Sequence, residues 1–394
     1  MRFNIPNKKI MNTLIKLTKR LYAENYYDFI LKHKQHIFYI NNNEDVNSVV
    51  VVNALQHQID IFYDFSSFLT CQYLFSGDEN GLASNGFSSL TIEEINIDDV
   101  TYSGLEKMLK TIKLFKYEDK NICYLSTKIG QKEVVINEKE AILLISILEY
   151  LLHIKYIYDS KEEIMDISEE CVTVFLFDEA NMTYDCTYVA LDSFDFMPKI
   201  EPKKTANKEL LSKLKKVEIT PGTLYIGKYF CDFPYEIFRY ENKIEQVLSP
   251  TVLYALSDSG IMDYEIYSTL EKNNNKVTTE LLEKLLNRVG LFDTIVTNNL
   301  SIYLALAKTF KAINIEFKYD SLNAYHNFVN RTLKAALTFD ADIEVISEVL
   351  LQIKFNYPLL FTDIAHIKDA EVFEEEDSLD ELMETDLVDT KKIC

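Results

Sequence analysis

The chain has 394 residues, 47% of them hydrophobic, which is enough to fill more than one core and excludes an extended, solvent-swollen polymer. Its formal charge of −21 repels a phosphate backbone over most of the surface, which argues against general DNA or RNA binding. The cysteines, Cys71, Cys123, Cys171, Cys186, Cys231 and Cys394, are scattered without a C-x-x-C pair, as expected of reduced thiols in the cytoplasm rather than a disulfide frame or zinc site.

Lys8, Lys9, Lys16, Lys19 and Arg20 interrupt any apolar leader at the N-terminus, so export is not expected. Ile10–Lys34, with Leu14, Leu17, Leu21, Tyr27 and Ile30 on one side, predicts an amphipathic helix, and Ser48–Leu55 and Gln58–Phe65 predict strands. Further helices are predicted over Ser103–Phe115 and Glu138–Tyr158. The apolar run Ala141–Tyr158 contains Glu149, His153 and Lys155, which suits a core helix and not a membrane span. Cys171–Phe177 and Met182–Leu191 read as a hairpin across Asp178–Asn181. Residues 1–197 are therefore expected to form an α+β domain. Residues 198–208, polar and broken by Pro198 and Pro202, read as a linker.

Residues 209–362 carry a different order. A strand is predicted over Thr223–Cys231, entered through Pro221-Gly222 and ending at Asp232. Strands Thr251–Leu256 and Ile261–Tyr267 flank the turn residues Asp258-Ser259-Gly260. Then follow a helix at Thr278–Val289, a strand at Asp293–Thr297, a helix at Leu300–Ala312, a strand at Ile315–Tyr319 and a helix at Leu322–Leu337. Strands first and alternation afterwards predict an α/β domain with a mixed sheet. From residue 363 to 394 the composition turns acidic: 11 of the 21 residues Asp369–Asp389 are Asp or Glu, so disorder is predicted. Within that tail Leu379, Leu382, Met383 and Leu387 keep helical spacing, which suits capture by a groove on a partner protein.

Two runs carry a resemblance. Asn323–Lys334, NAYHNFVNRTLK, is similar to the N-A-Y-x-E-x-x-N-R-T-L-K helix of retroviral-integrase-like transposase cores, and Thr297–Ser301, TNNLS, is similar to their T-D-N-G-S. The resemblance implies a ribonuclease-H-like domain in which Asp232, Asn298 and Asn327 stand at the three metal-ligand positions, two of them as amides. Two-metal phosphoryl transfer needs clustered carboxylates to balance four positive charges, and an Asn carbonyl brings no charge. A degenerate site without a cofactor is therefore implied. More broadly the chain resembles a group of bacterial two-domain proteins with no assigned activity, whose hairpin pattern is matched by Tyr254–Ile261, YALSDSGI; that likeness implies a bacterial or phage origin.

Other motifs have plainer readings. Gly222–Lys228 satisfies G-x-x-x-x-G-K, but its Leu-Tyr-Ile interior is that of a strand and Tyr229 stands where a phosphate loop needs Ser or Thr. His33, His36 and His57 have no cysteine or dense acidic neighbour, so no metal site is expected. His326 adjoins Asn327 without a nucleophile or orienting partner in sequence. Two function classes stay open: a non-catalytic interaction or regulatory module, and a Mg²⁺-dependent nuclease or polynucleotidyl transferase using Asp232, Asp258 and Asp320 as a different catalytic set. Asp258 also reads as a turn residue and Asp320 as a helix cap.

Overall fold

The computed structural model describes residues 2–33, 36–41, 47–94, 115–160, 171–178, 183–191, 202–203, 205–257 and 262–367. Among these residues it is a mixed α/β protein with ten helices and two sheets of mixed direction. The predicted helix Ser103–Phe115, save Phe115, lies outside the described residues, as do Asp258, Leu379, Leu382, Met383 and Leu387.

The chain opens with α1 (Lys8–Ala23) and α2 (Tyr26–His33), not one helix. They part at Asn25, whose φ of 52° is the left-handed conformation that asparagine tolerates and that ends a helix. The strands β1 (Ile37–Asn41), β2 (Asn47–Asn53), β3 (Gln58–Phe62), β4 (Ser89–Glu94), β5 (Phe115–Tyr117), β6 (Lys120–Lys128), β7 (Gln131–Val135), β8 (Cys171–Asp178) and β9 (Thr183–Ala190) build the first sheet. Its neighbours run antiparallel except for β1 and β8, which are parallel. Alternation along the strands serves two layers. Phe38, Val50 and Ile61 face α1, α2 and the long helix α5 (Glu138–Ser160), whereas Ile37, Val49 and Phe62 face α3 (Phe65–Ser76). No helix of the described residues is long and apolar enough to cross a membrane.

After α3, Gly77 adopts φ 67° and closes its C-terminus, and Asp78 caps the short helix α4 (Glu79–Asn85) by accepting from Gly81 N–H at 2.8 Å.

Past the short helix α6 (Lys208–Leu214), β10 (Ile219–Phe230) begins the second sheet. The Gly222–Lys228 run lies within this strand. Two short strands follow, β11 (Glu236–Arg239) and β12 (Glu245–Leu248), and they leave the second sheet: β12 pairs with β7 and so extends the first one. The next elements are β13 (Thr251–Ser257), β14 (Met262–Tyr267), α7 (Glu271–Val289), β15 (Leu291–Thr297), α8 (Leu300–Lys311), β16 (Glu316–Tyr319), α9 (Ala324–Phe339) and α10 (Ile343–Ile367). The second sheet has the order β14-β13-β10-β15-β16. Strand β13 is antiparallel to both neighbours, and β15 and β16 run parallel to β10. Leu224, Ile226, Leu253 and Ala255 pack under α6, α7 and α8; Tyr229, Val252, Tyr254 and Leu256 pack under α9 and α10.

Candidate functional site

The parallel register pairs Ile226 with Thr297, so the residue after β15, Asn298, comes level with Gly227 and Lys228 at the middle of the sheet. Asn298 is fully buried, and its side-chain Oδ1 accepts from the backbone N–H of Lys228 at 3.2 Å. Above it α9 presents a stripe of His326, Val329, Asn330 and Leu333, all buried. The spacing i, i+3, i+4, i+7 is that of a core-facing helix surface, with two polar residues inserted in it. Tyr254, directly opposite Gly227 on β13, places its hydroxyl 3.2 Å from both His326 Nδ1 and Asn330 Oδ1.

The fourth wall comes from the other sheet's connections. Helix α4 reaches across so that Ser84 Oγ accepts from Asn298 Nδ2 at 2.6 Å and from Asn330 Nδ2 at 2.9 Å. The Ser84 carbonyl accepts from Asn299 Nδ2 at 2.6 Å, while Asn299 Oδ1 caps α8 by accepting from Ile302 N–H. Asn85 Oδ1 accepts from Leu300 N–H at 2.8 Å, one of the amides at that helix start that has no partner within the helix. Tyr73 of α3 meets Tyr319 of β16 hydroxyl to hydroxyl at 2.8 Å. Close approach of α3 and α4 depends on Gly81, where an added Cβ would lie 2.4 Å from the Tyr73 ring.

This is a satisfied amide and hydroxyl network closed to water. His326 Nε2 lies 3.4 Å from the Val296 carbonyl and Nδ1 lies 3.2 Å from the Tyr254 hydroxyl, whose single proton is donated to Asn330 Oδ1, an atom that can only accept. Burial disfavours the charged ring and pushes its pKa down to about 3. The walls of the cluster contribute amide, hydroxyl and imidazole groups, with both imidazole nitrogens engaged. Such donors do not fit the doubly charged pair that two-metal chemistry uses. Among the described residues no group of three or more His, Cys, Asp or Glu is placed to hold a metal ion.

On the opposite face of β10 lies Lys228, fully buried, its Nζ donating to Asn274 Oδ1 at 3.1 Å. The amine sits 5.0 Å from the Phe230 ring centre and 5.9 Å from that of Tyr267, the hydroxyl of which pairs with Thr278 at 2.9 Å. Desolvation pushes the lysine down to about 7.

The residues singled out by sequence fall in different places. Asn298 is in the buried cluster. Asp232 stands exposed beyond the end of β10, four residues past Lys228 and so about 13 Å further along the strand direction. Asn327 is on α9 but one residue off the buried stripe, its amide donating to Leu322 O at 3.1 Å. The amide that faces Asn298 from this helix is Asn330. Asp320 is exposed at the end of β16 and accepts from Leu322 N–H at 3.1 Å, while the helix cap itself is Asn323. The imidazole of His57 is 2.9 Å from Glu94 and 2.9 Å from Lys120 Nζ, a half-buried surface group away from the cluster. Ser84 and Asn85 escaped sequence reading, and Tyr254 and Asn330, although inside runs that carry a resemblance, had no role assigned to them. For Asn330 a signal existed, namely two polar residues in the apolar stripe of α9.

No protein-family model and no curated protein sequence matches this chain.

Proposed function

We propose that residues 209–362 form a degenerate, retroviral-integrase-like core of the ribonuclease-H-like fold, and that the protein is a non-catalytic cytoplasmic interaction or regulatory module. The strand order supports the fold: three antiparallel strands, β10, β13 and β14, followed by two α/β units that add β15 and β16 parallel to β10. The observation that carries the loss of catalysis is the occupation of the middle of that sheet. Where β10, β15 and α9 converge, the side chains are Tyr254 over Gly227, Asn298, His326 and Asn330, and α4 is docked on them. A face that would receive a nucleic acid is used instead to hold the chain's own first half. The acidic tail, with Leu379, Leu382, Met383 and Leu387, is the segment this reading assigns to an external protein partner.

The test is incubation of the purified protein with supercoiled plasmid and labelled duplex in Mg²⁺ or Mn²⁺. No nicking or strand joining is expected, with weak duplex binding at physiological salt. Metal-dependent nicking abolished by Asp232→Ala or Asp320→Ala would overturn the reading and establish a metal-dependent nuclease or polynucleotidyl transferase in its place.

A further inference from the structure

Helix α1 is a basic exception in an acidic protein. It carries Lys8, Lys9, Lys16, Lys19 and Arg20 and no acidic residue, in a chain of net charge −21. All five are exposed. Arg20 pairs with Glu24 at 2.6 Å, whereas the four lysines have no ion pair among the described residues. Lys8, Lys9 and Lys16 line a shallow depression with Asn12 and Thr13.

The geometry limits what this face can receive. A basic amphipathic helix binds membranes by inserting its apolar side, but Leu14 and Leu21 are fully buried in the core, so that side is already used. A polynucleotide would be attracted by α1 and repelled by the rest of the molecule. The acidic group best placed is one carried on the same chain. Its 11 acids begin at Asp369, two residues beyond the end of α10 at Ile367. A random-coil chain of 27 residues, the length from 368 to 394, has a root-mean-square end-to-end distance of about 30 Å and an extended length of about 90 Å. A compact chain of 394 residues has a radius of gyration of about 20 Å and so a diameter of about 55 Å, which the extended segment is long enough to span. Tethering supplies an effective concentration in the millimolar range, so a set of individually weak ion pairs is enough.

We propose that the acidic segment Asp369–Asp389 docks in cis on the exposed face of α1, pairing its carboxylates with Lys8, Lys9, Lys16 and Lys19. The contact stands independently of whether the second unit is catalytic. It uses the acids of the segment and leaves the spacing of its leucines intact, so a protein partner would have to compete with α1 for the segment.

Zero-length carbodiimide crosslinking of the full chain tests this, with equal amounts of ¹⁴N- and ¹⁵N-labelled protein mixed beforehand. Crosslinks should join the α1 lysines to residues 369–389 within isotopically matched peptides, and should fall at least about threefold when salt is raised from about 50 mM to about 0.5 M. A second measurement does not depend on crosslinking: deletion of 369–394 should increase retention on a sulfated polyanion resin, and Lys16→Glu with Lys19→Glu in α1 should reverse that gain. Crosslinks between light and heavy chains would assign the contact to a second copy and overturn docking in cis. So would crosslinks spread equally over remote exposed lysines such as Lys276 and Lys318, or unchanged retention after deletion.

Discussion

Tyr254 occupies the space that a side chain at Gly227 would need. The two face each other across β13 and β10, and a Cβ added to Gly227 would lie 2.2 Å from Cζ of the tyrosine and 2.3 Å from its hydroxyl. The ring is held from above by His326 and Asn330, so it cannot swing aside without breaking the buried network.

Gly227→Ala should therefore destabilise the protein by about 3 kcal/mol, the upper end of what overpacking costs. Urea unfolding measures it. Combination with Tyr254→Ala should give a loss smaller than the sum of the single losses, because the clash partner is gone. Additive losses would mean that the two residues do not share that space.

Ser84→Ala removes one oxygen that serves two buried amides, those of Asn298 and Asn330. Leaving buried donors without an acceptor costs about 1–3 kcal/mol each, so a loss of about 2–6 kcal/mol is expected. The damage should be local as well as global: amide hydrogen exchange should rise first in α4 and at the start of α8. Uniform acceleration over the whole chain would show that α4 is not a separately releasable dock.

The buried imidazole makes a pH prediction. In the folded state His326 is pushed down from its ordinary 6.5 to about 3, so between those values the unfolded chain binds a proton that the folded chain does not. Stability attributable to this residue is fully present above about 6.5 and is lost as pH falls toward about 3. His326→Leu should flatten the dependence of the urea midpoint on pH in that window. An equally steep curve in the variant would place the acid sensitivity elsewhere.

Lys228 acts in the other window. Its amine is pushed down from 10.5 to about 7, so from about 7 to 10.5 the unfolded chain again holds the extra proton, and stability should rise with pH across that range. Below about 7 the cost of a buried ammonium is present in full. Lys228→Met keeps the aliphatic volume and removes the charge, and Asn274 Oδ1 still accepts from Thr278 at 3.2 Å. The variant should be more stable at neutral pH by about 1–3 kcal/mol and should show a flatter alkaline limb. A less stable variant would give the ammonium a structural role.

What could be read in the sequence follows from how local each signal is. Strands β10, β13, β14, β15 and β16 are apolar or alternating runs bounded by turn residues, and α8 and α9 have clear helical periods, so these elements and their succession along the chain could be read from the sequence, though not their places in the sheet. Helix α3 was not: Phe68, Leu69, Thr70, Cys71 and Tyr73 are all buried, which leaves no polar face to mark a period. Strands β11 and β12 have four residues each, and β11 is largely exposed, so they read as loop. The start of α7 hides in Asn273-Asn274-Asn275, where Asn274 turns out to be the acceptor for Lys228. Of the buried cluster Asn298, its neighbour Asn299 and His326 stood out. Ser84 and Asn85 lie more than two hundred positions away from them in sequence, and nothing local distinguishes a serine that will meet an amide at that distance from one that will meet water.

The pairing of β12 with β7 sets an order of events on the ribosome. Strand β7 emerges at residues 131–135, but the strand that covers its open edge is not synthesised until Glu245–Leu248. At translation rates of about 5–20 residues per second that interval is roughly 5–20 s, during which the first sheet carries an unpaired edge able to recruit a neighbouring nascent chain. Helix α4 waits longer still, because its acceptors and donors on Asn298, Asn299 and Asn330 come later in the chain. A fragment ending in the polar stretch before α6 would be arrested permanently at this stage, with the rim of one sheet and the polar tip of α4 both bare. Any attempt to produce the first half alone should therefore carry β11 and β12 along, grafted after a short connector, rather than stop where the composition suggests a boundary.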